Sequence, residues 1–147
     1  MSPLGALLML DWKQPILLVE DDLSLRASLC QFLQDHGYRT VTAGTAQQGW
    51  EALKHEVVPL CLLDLNLPDG SGLDLLRKIT AHAMQTRVIV MTAFDLQHIR
   101  PAAALQGLAG WLTKPVSPVE LLDMVQRTLG HRSANQSKKD NINVEGP

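Results

Sequence analysis

The hydrophobic pattern divides the chain into short apolar runs and longer amphipathic stretches in strict alternation. Ile16-Leu17-Leu18-Val19 is a continuous apolar run that ends in acids. Such runs mark strands buried on both faces, as in parallel sheets. Leu25, Leu29, Phe32 and Leu33 follow at i, i+4, i+7 and i+8, one face of a helix, and Gly37 stands where the residue just past its end belongs. Residues 38–43 read as a second strand, and residues 46–55 as a second helix with Trp50 and Leu53 inward. Residues 60–63 form a third strand ending at Asp64, and the Pro and Gly content of 66–72 predicts a loop. Leu73, Leu76 and Ile79 mark a third helix, and residues 87–91 a fourth strand ending at Thr92. A short fourth helix is expected over 101–107, with proline in its first turn. Residues 109–112 are a short fifth strand, followed by Thr113-Lys114-Pro115. The last helix starts at a capping box, with Ser117 at N-cap, Pro118 at N1 and Glu120 at N3. Leu121, Leu122, Val125 and Leu129 form its apolar face, and Gly130 closes it.

Alternation of this kind predicts an α/β fold, a parallel sheet with helices on both faces. The expected organisation is an N-terminal tail over 1–14, one domain over 15–130 and a polar, disordered tail over 131–147, with no internal repeat. Composition refines this. At 147 residues, 46% hydrophobic and 19% charged, the chain reads as one globular domain. A net charge of −2 leaves no excess of Lys or Arg to displace counterions, so no direct nucleic-acid binding is expected. The apolar run over 4–10 is far short of the roughly 18 residues needed to cross a bilayer. No basic residue precedes it, as a signal peptide would require, so it is read as a tail packing on the domain or a partner. Cys30 and Cys61 sit in apolar runs without a CxxC pair, as buried reduced thiols in a cytoplasmic protein do. The acceptor pattern Asn135-Gln136-Ser137 is discounted, and none of the five histidines is assigned to chemistry.

In such folds ligands bind beyond the carboxyl ends of the strands, where the notable polar residues fall. Glu20, Asp21 and Asp22 follow strand one, Asp64 ends strand three, Thr92 ends strand four, and Lys114 follows strand five. Taken singly, each has an ordinary reading: an Asp-Asp pair after a strand is commonly a helix cap, Thr92 an N-cap or loop residue, Lys114-Pro115 a solvated lysine and a turn, and Asp64 a turn cap. Taken together they need an explanation. Two like charges about 4 Å apart repel by roughly 4 kcal/mol at an effective dielectric near 20. A hard divalent cation removes that cost, and magnesium prefers one or two carboxylates plus waters and phosphate oxygens. With a lysine to hold phosphate oxygens and a threonine hydroxyl, the set can receive a phosphoryl group as an aspartyl phosphate.

The segments Val19-Glu20-Asp21-Asp22, Leu63-Asp64-Leu65-Asn66-Leu67-Pro68 with Gly72, Met91-Thr92-Ala93 and Thr113-Lys114-Pro115 resemble, in order and spacing, the receiver family of two-component signalling. The resemblance covers residues 15 to 130 and implies a flavodoxin-like five-stranded sheet of order 2-1-3-4-5. It implies that Asp64 is the phosphoacceptor, and that Asp21, Asp22, Asp64 and the backbone carbonyl of Asn66 hold Mg2+. Thr92 is then the switch hydroxyl and Lys114 the lysine that pairs with the phosphoryl group. Trp111 stands at the switch aromatic, where the family more often has Tyr or Phe. The implied donor is a histidine kinase or phosphotransfer protein. The implied partner surface, for a homodimer or an output protein, is the face of the fourth helix, fifth strand and fifth helix. The implied activity is a cytoplasmic switch that catalyses only its own phosphotransfer and dephosphorylation.

Several departures from the family pattern stand out. Gly110 replaces a common Asp before the aromatic. Pro101 should shorten the fourth helix. Phe94, two residues past Thr92, puts an apolar ring near the path of the attacking water, which implies slow self-dephosphorylation. Two other readings use the same residue types. A phosphatase of the haloacid dehalogenase type would carry its nucleophile in a D-x-D ending strand one, whereas the candidate here is on strand three. An inert pseudo-receiver would not need the complete acidic, Thr and Lys set.

Overall fold

The computed structural model describes residues 14–82, 85–93 and 107–131. The apolar run over 4–10, Phe94, the fourth helix expected over 101–107 up to residue 106, and the polar tail beyond His131 lie outside them. The elements are β1 (Ile16–Val19), α1 (Leu23–Asp35), β2 (Thr40–Ala43), α2 (Ala46–His55), β3 (Leu60–Asp64), β4 (Asn66–Leu67), β5 (Gly70–Ser71), α3 (Gly72–Ala81), β6 (Arg87–Thr92), β7 (Leu108–Thr113) and α4 (Pro118–Leu129). Five strands form one sheet in the order β2-β1-β3-β6-β7, every neighbouring pair parallel. Counted without β4 and β5, this is the order 2-1-3-4-5 expected from the family.

The period-2 alternation of strand side chains divides the core between two faces. Leu17 and Val19 of β1, Cys61 and Leu63 of β3, and Val88 and Val90 of β6 pack with Leu53 of α2 and with Leu75, Leu76 and Ile79 of α3. Ile16, Leu18, Leu60, Leu62, Ile89 and Met91 point the other way, against Leu29 and Leu33 of α1 and Leu121 and Val125 of α4. Both faces are covered, so β1 and β3 are buried at every position and apolar throughout except for Asp64 at the end of β3. Each buried Leu, Ile or Val contributes about 1.5–3 kcal/mol, which is why helices anchor at these points. Cys61 lies inside this core, where burial pushes its thiol up to about 12 and keeps it protonated.

The ends marked in sequence by Gly37, Ser117 and Gly130 are observed, and Thr45 supplies one more cap. Thr45 accepts from Gln48 N at 3.1 Å and Ser117 from Glu120 N at 3.4 Å. Gly37 (φ 89°) and Gly130 (φ 76°) take the left-handed conformation that terminates α1 and α4. The segment over 66–72 departs from expectation: it contains the two-residue antiparallel ribbon β4–β5. Leu67 is buried against the α2–α3 side of the core, and Gly70 turns the chain at φ 146°, so the loop folds back on itself. Among the described residues no helix is long and apolar enough to cross a membrane.

Candidate functional site

Register places the site. Val19 pairs with Leu63, Asp64 with Met91 and Thr92 with Thr113, so the carboxyl ends of β1, β3, β6 and β7 meet at one edge. Asp64 is only 2% exposed, and its Oδ1 accepts from Asn66 N at 3.0 Å. Lys114 N donates to the Thr92 carbonyl at 2.8 Å, which turns the lysine back over the edge, and the Lys114–Pro115 peptide is cis. Its Nζ then donates to Asp64 Oδ2 at 3.0 Å and to Glu20 Oε2 at 2.9 Å. Thr92 is fully buried at the end of β6, one residue past the partner of Asp64. Carboxylate oxygens of Glu20, Asp21 and Asp64 lie within 4.8 Å of one another. Asp21 faces solvent and the other two are buried, so the cluster opens to water on one side.

The buried pair Glu20 and Asp64, when both are ionised, repels by about 3.5 kcal/mol or more at an effective dielectric near 20. Lys114 offsets this by bonding to both. Burial pulls the lysine toward neutrality, but the hydrogen bonds to Glu20 and Asp64 outweigh it and hold its pKa above the ordinary value. Burial raises the pKa of Glu20 above its usual range, against the lowering by the Lys114 and Asp22 N–H bonds. No buried side-chain polar atom among the described residues lacks a partner. The donors are all hard oxygens, with one carboxylate on the solvent side, and this set fits Mg2+.

The structure does not bring together every residue expected at the metal. Asp22 stands apart from the cluster: it is the N-cap of α1, and its carboxylate accepts from Leu25 N at 3.0 Å. Glu20 lies in the cluster with Asp21 and Asp64 instead, because β1 ends one residue before it and its side chain turns inward to Lys114. The signal was available in sequence: Asp22 immediately precedes the first residue of an apolar-periodic helix and lies three before Leu25, the N-cap geometry. Asn66 is exposed beside Asp64. Trp111 lies on β7 with 48% of its surface exposed.

Two further residues shape the loop after Asp64. A Cβ on Gly72 would lie 2.3 Å from the Asp64 carbonyl oxygen, so only glycine admits this approach of α3 to β3. Asp69 reaches across to α2, where its carboxylate accepts from Ala46 N at 2.8 Å and Gln47 N at 3.0 Å. These N–H donors stabilise the charged form and hold its pKa below the ordinary 3.8. Between the folded-state pKa and 3.8 the unfolded chain binds more protons at this position. The contribution is therefore complete above 3.8 and is lost as pH falls through the folded value. A 13C titration of the Asp69 carboxyl is expected to give a midpoint below 3.8, and a midpoint at or above it would remove the cap.

The chain matches the response regulator receiver domain family over residues 16–126. It is 37% identical over 106 residues to the alginate biosynthesis transcriptional regulatory protein AlgB of Pseudomonas putida, covering 72% of this chain and 24% of that protein. It thus spans about a quarter of the length of that curated relative. A CheY-like response regulator receiver domain protein from Methanospirillum hungatei superposes with a TM-score of 0.73 at 29% identity, covering 86% of this chain and 98% of that one. The response regulator TrrA from Thermotoga maritima, solved in complex with Mg2+ and BeF, superposes with a TM-score of 0.70 at 25% identity, covering 78% and 98%.

Proposed function

The chain belongs to the response regulator receiver domain family, the phosphorylation-activated switches of two-component signalling, and from that premise we propose that Asp64 is its phosphoacceptor. The observation that carries the assignment is Lys114 Nζ bridging Asp64 and Glu20 beside a solvent-open carboxylate cluster. An Asp64 oxygen attacks the phosphorus, and the P–N bond of a phosphohistidine on a kinase or phosphotransfer protein breaks, its electron pair returning to the imidazole. Lys114 then exchanges its bond to the Asp64 carboxylate for the phosphoryl oxygens. Thr92 is the switch hydroxyl and Trp111 the switch aromatic.

Glu20, Asp21, Asp64 and the Asn66 carbonyl would hold Mg2+, which when bound neutralises charge on the transferring group. The receiver spans 15–130, between tails over 1–14 and 131–147. It is cytoplasmic and turns over only its own phosphoryl group. Its partner face, for a second copy or an output protein, comprises the helix expected from Pro101, β7 and α4. A dehalogenase-type phosphatase would carry its nucleophile in a D-x-D at the end of β1, where this chain reads Glu20-Asp21-Asp22, while the candidate phosphoacceptor Asp64 ends β3, which speaks against that reading. The complete acidic, Thr and Lys set speaks against an inert pseudo-receiver.

A Mg2+ titration followed by NMR, repeated with beryllofluoride, tests the reading. Wild type is expected to bind both. Asp21→Asn should lose about tenfold or more in Mg2+ affinity. Asp22→Ala should keep its affinity and lose about 1 kcal/mol of stability with its cap. Failure of wild type to bind, or loss of affinity in Asp22→Ala alone, would overturn the metal assignment.

A further inference from the structure

Arg26 sits in the first turns of α1, where a long cationic side chain ordinarily extends into water. Its guanidinium instead turns back, and Nη1 donates to the carbonyl oxygen of Glu20 at 2.8 Å. Fixing an arginine costs rotamer freedom, so a seat that holds it needs a reason. The seat lies between the β1–α1 and β2–α2 junctions. A Cβ on Gly44 would come 2.7 Å from Arg26 Nη1 and 3.6 Å from Gln48 Oε1. Gly44 is not among the described glycines with positive φ, so its backbone does not call for glycine. The space it leaves is filled by the guanidinium, and Gly44 N is itself held by Gln48 Oε1 at 2.9 Å.

The carbonyl that Arg26 grips belongs to the peptide joining Glu20 to Asp21, two of the three clustered carboxylates. The other restraints on Glu20 act elsewhere: its N–H donates to Ala43 O at 3.0 Å, and its side chain is held by Lys114 and by Asp22 N. The plane of the Glu20–Asp21 peptide sets how the exposed carboxylate stands relative to the buried one. We propose that Arg26, seated against Gly44, is a positioning residue for the acidic site, holding Glu20 and Asp21 in the arrangement that binds the cation. The inference rests on the Mg2+ site proposed above.

The test measures Mg2+ affinity by NMR titration of the unphosphorylated chain, with urea unfolding alongside. Arg26→Ala and Gly44→Ala remove the same bond from opposite sides. Each is expected to weaken Mg2+ binding by about tenfold, as loss of a group that orients metal ligands does. The double variant should be no worse than either single one, because the two act on one interaction. Arg26→Lys should recover part of the affinity. Arg87→Ala is the structural control: it removes an analogous bond, from Arg87 Nη1 to Thr128 O at 3.0 Å, at the other end of the sheet. It should lower stability without moving Mg2+ affinity. Unchanged affinity in Arg26→Ala and Gly44→Ala, or an equal loss in Arg87→Ala, would overturn the positioning role while leaving the site reading intact. Failure of wild type itself to bind Mg2+ would overturn both.

Discussion

Asp64→Asn will not take up a phosphoryl group from acetyl phosphate or a phosphorylated donor, with labelling down by roughly 100-fold or more, because a neutral amide lacks the nucleophilic oxygen. The substitution keeps the size of a side chain that is 2% exposed, so no cavity forms. It also removes one of two buried negative charges and leaves Lys114 bonded to Glu20. Folding stability without metal should therefore be equal to or above wild type, which separates lost chemistry from lost structure. Labelling and urea unfolding on the same preparation check this. Comparable labelling at Glu20 or Asp21 would sink the assignment, and so would a large fall in stability, since the loss of labelling would then have a structural cause.

Gly72→Ala should be the most destabilising small substitution near the site. The added carbon would lie 2.3 Å from Asp64 O, 2.8 Å from Leu65 Cα and 3.1 Å from Asp64 C. All three are backbone atoms, so no side chain can rotate away and β3 or α3 must move. Overpacking in a close-packed interior costs typically 1–3 kcal/mol, and a clash with backbone belongs at the top of that range, about 3 kcal/mol. Against a total stability of about 5–15 kcal/mol this is a large shift. Gly72 N also donates to Leu65 O at 2.9 Å, so the displacement passes directly to the end of β3. Labelling of Asp64 should fall by about tenfold even where the variant folds, because a misplacement near 1 Å has a large effect on positioned chemistry. Gly107→Ala, with nothing within 4 Å of its Cβ, is the control and should stay within about 0.5 kcal/mol of wild type. A Gly72→Ala midpoint as close as the control's would mean the contact relaxes freely.

Much of this molecule follows from local pattern. The uninterrupted apolar runs of β1 and β3 could only be buried on both faces, and alternation with amphipathic helices required a parallel sheet. That sheet brings every strand's carboxyl end to one edge, so Asp64, Thr92 and Lys114 were recognisable as neighbours from their places at strand ends. Ser117, Pro118 and Glu120 announced the start of α4 because capping is a contact within one turn. What the sequence left open was decided at the junctions. Glu20, Asp21 and Asp22 are three consecutive acids, and which two share a site depends on where β1 stops and α1 begins. That boundary gave Asp22 to the Leu25 N–H and Glu20 to Lys114. Asp69 capping a helix more than twenty residues away, Arg26 seated against Gly44, and Gly72 pressed on the Asp64 carbonyl leave no local periodic trace. Periodicity reports which side chains leave water, a property of each segment alone. The direction of a carboxylate or a guanidinium at a loop is set by non-local hydrogen bonds and close backbone contacts, which exist only once the segments have packed.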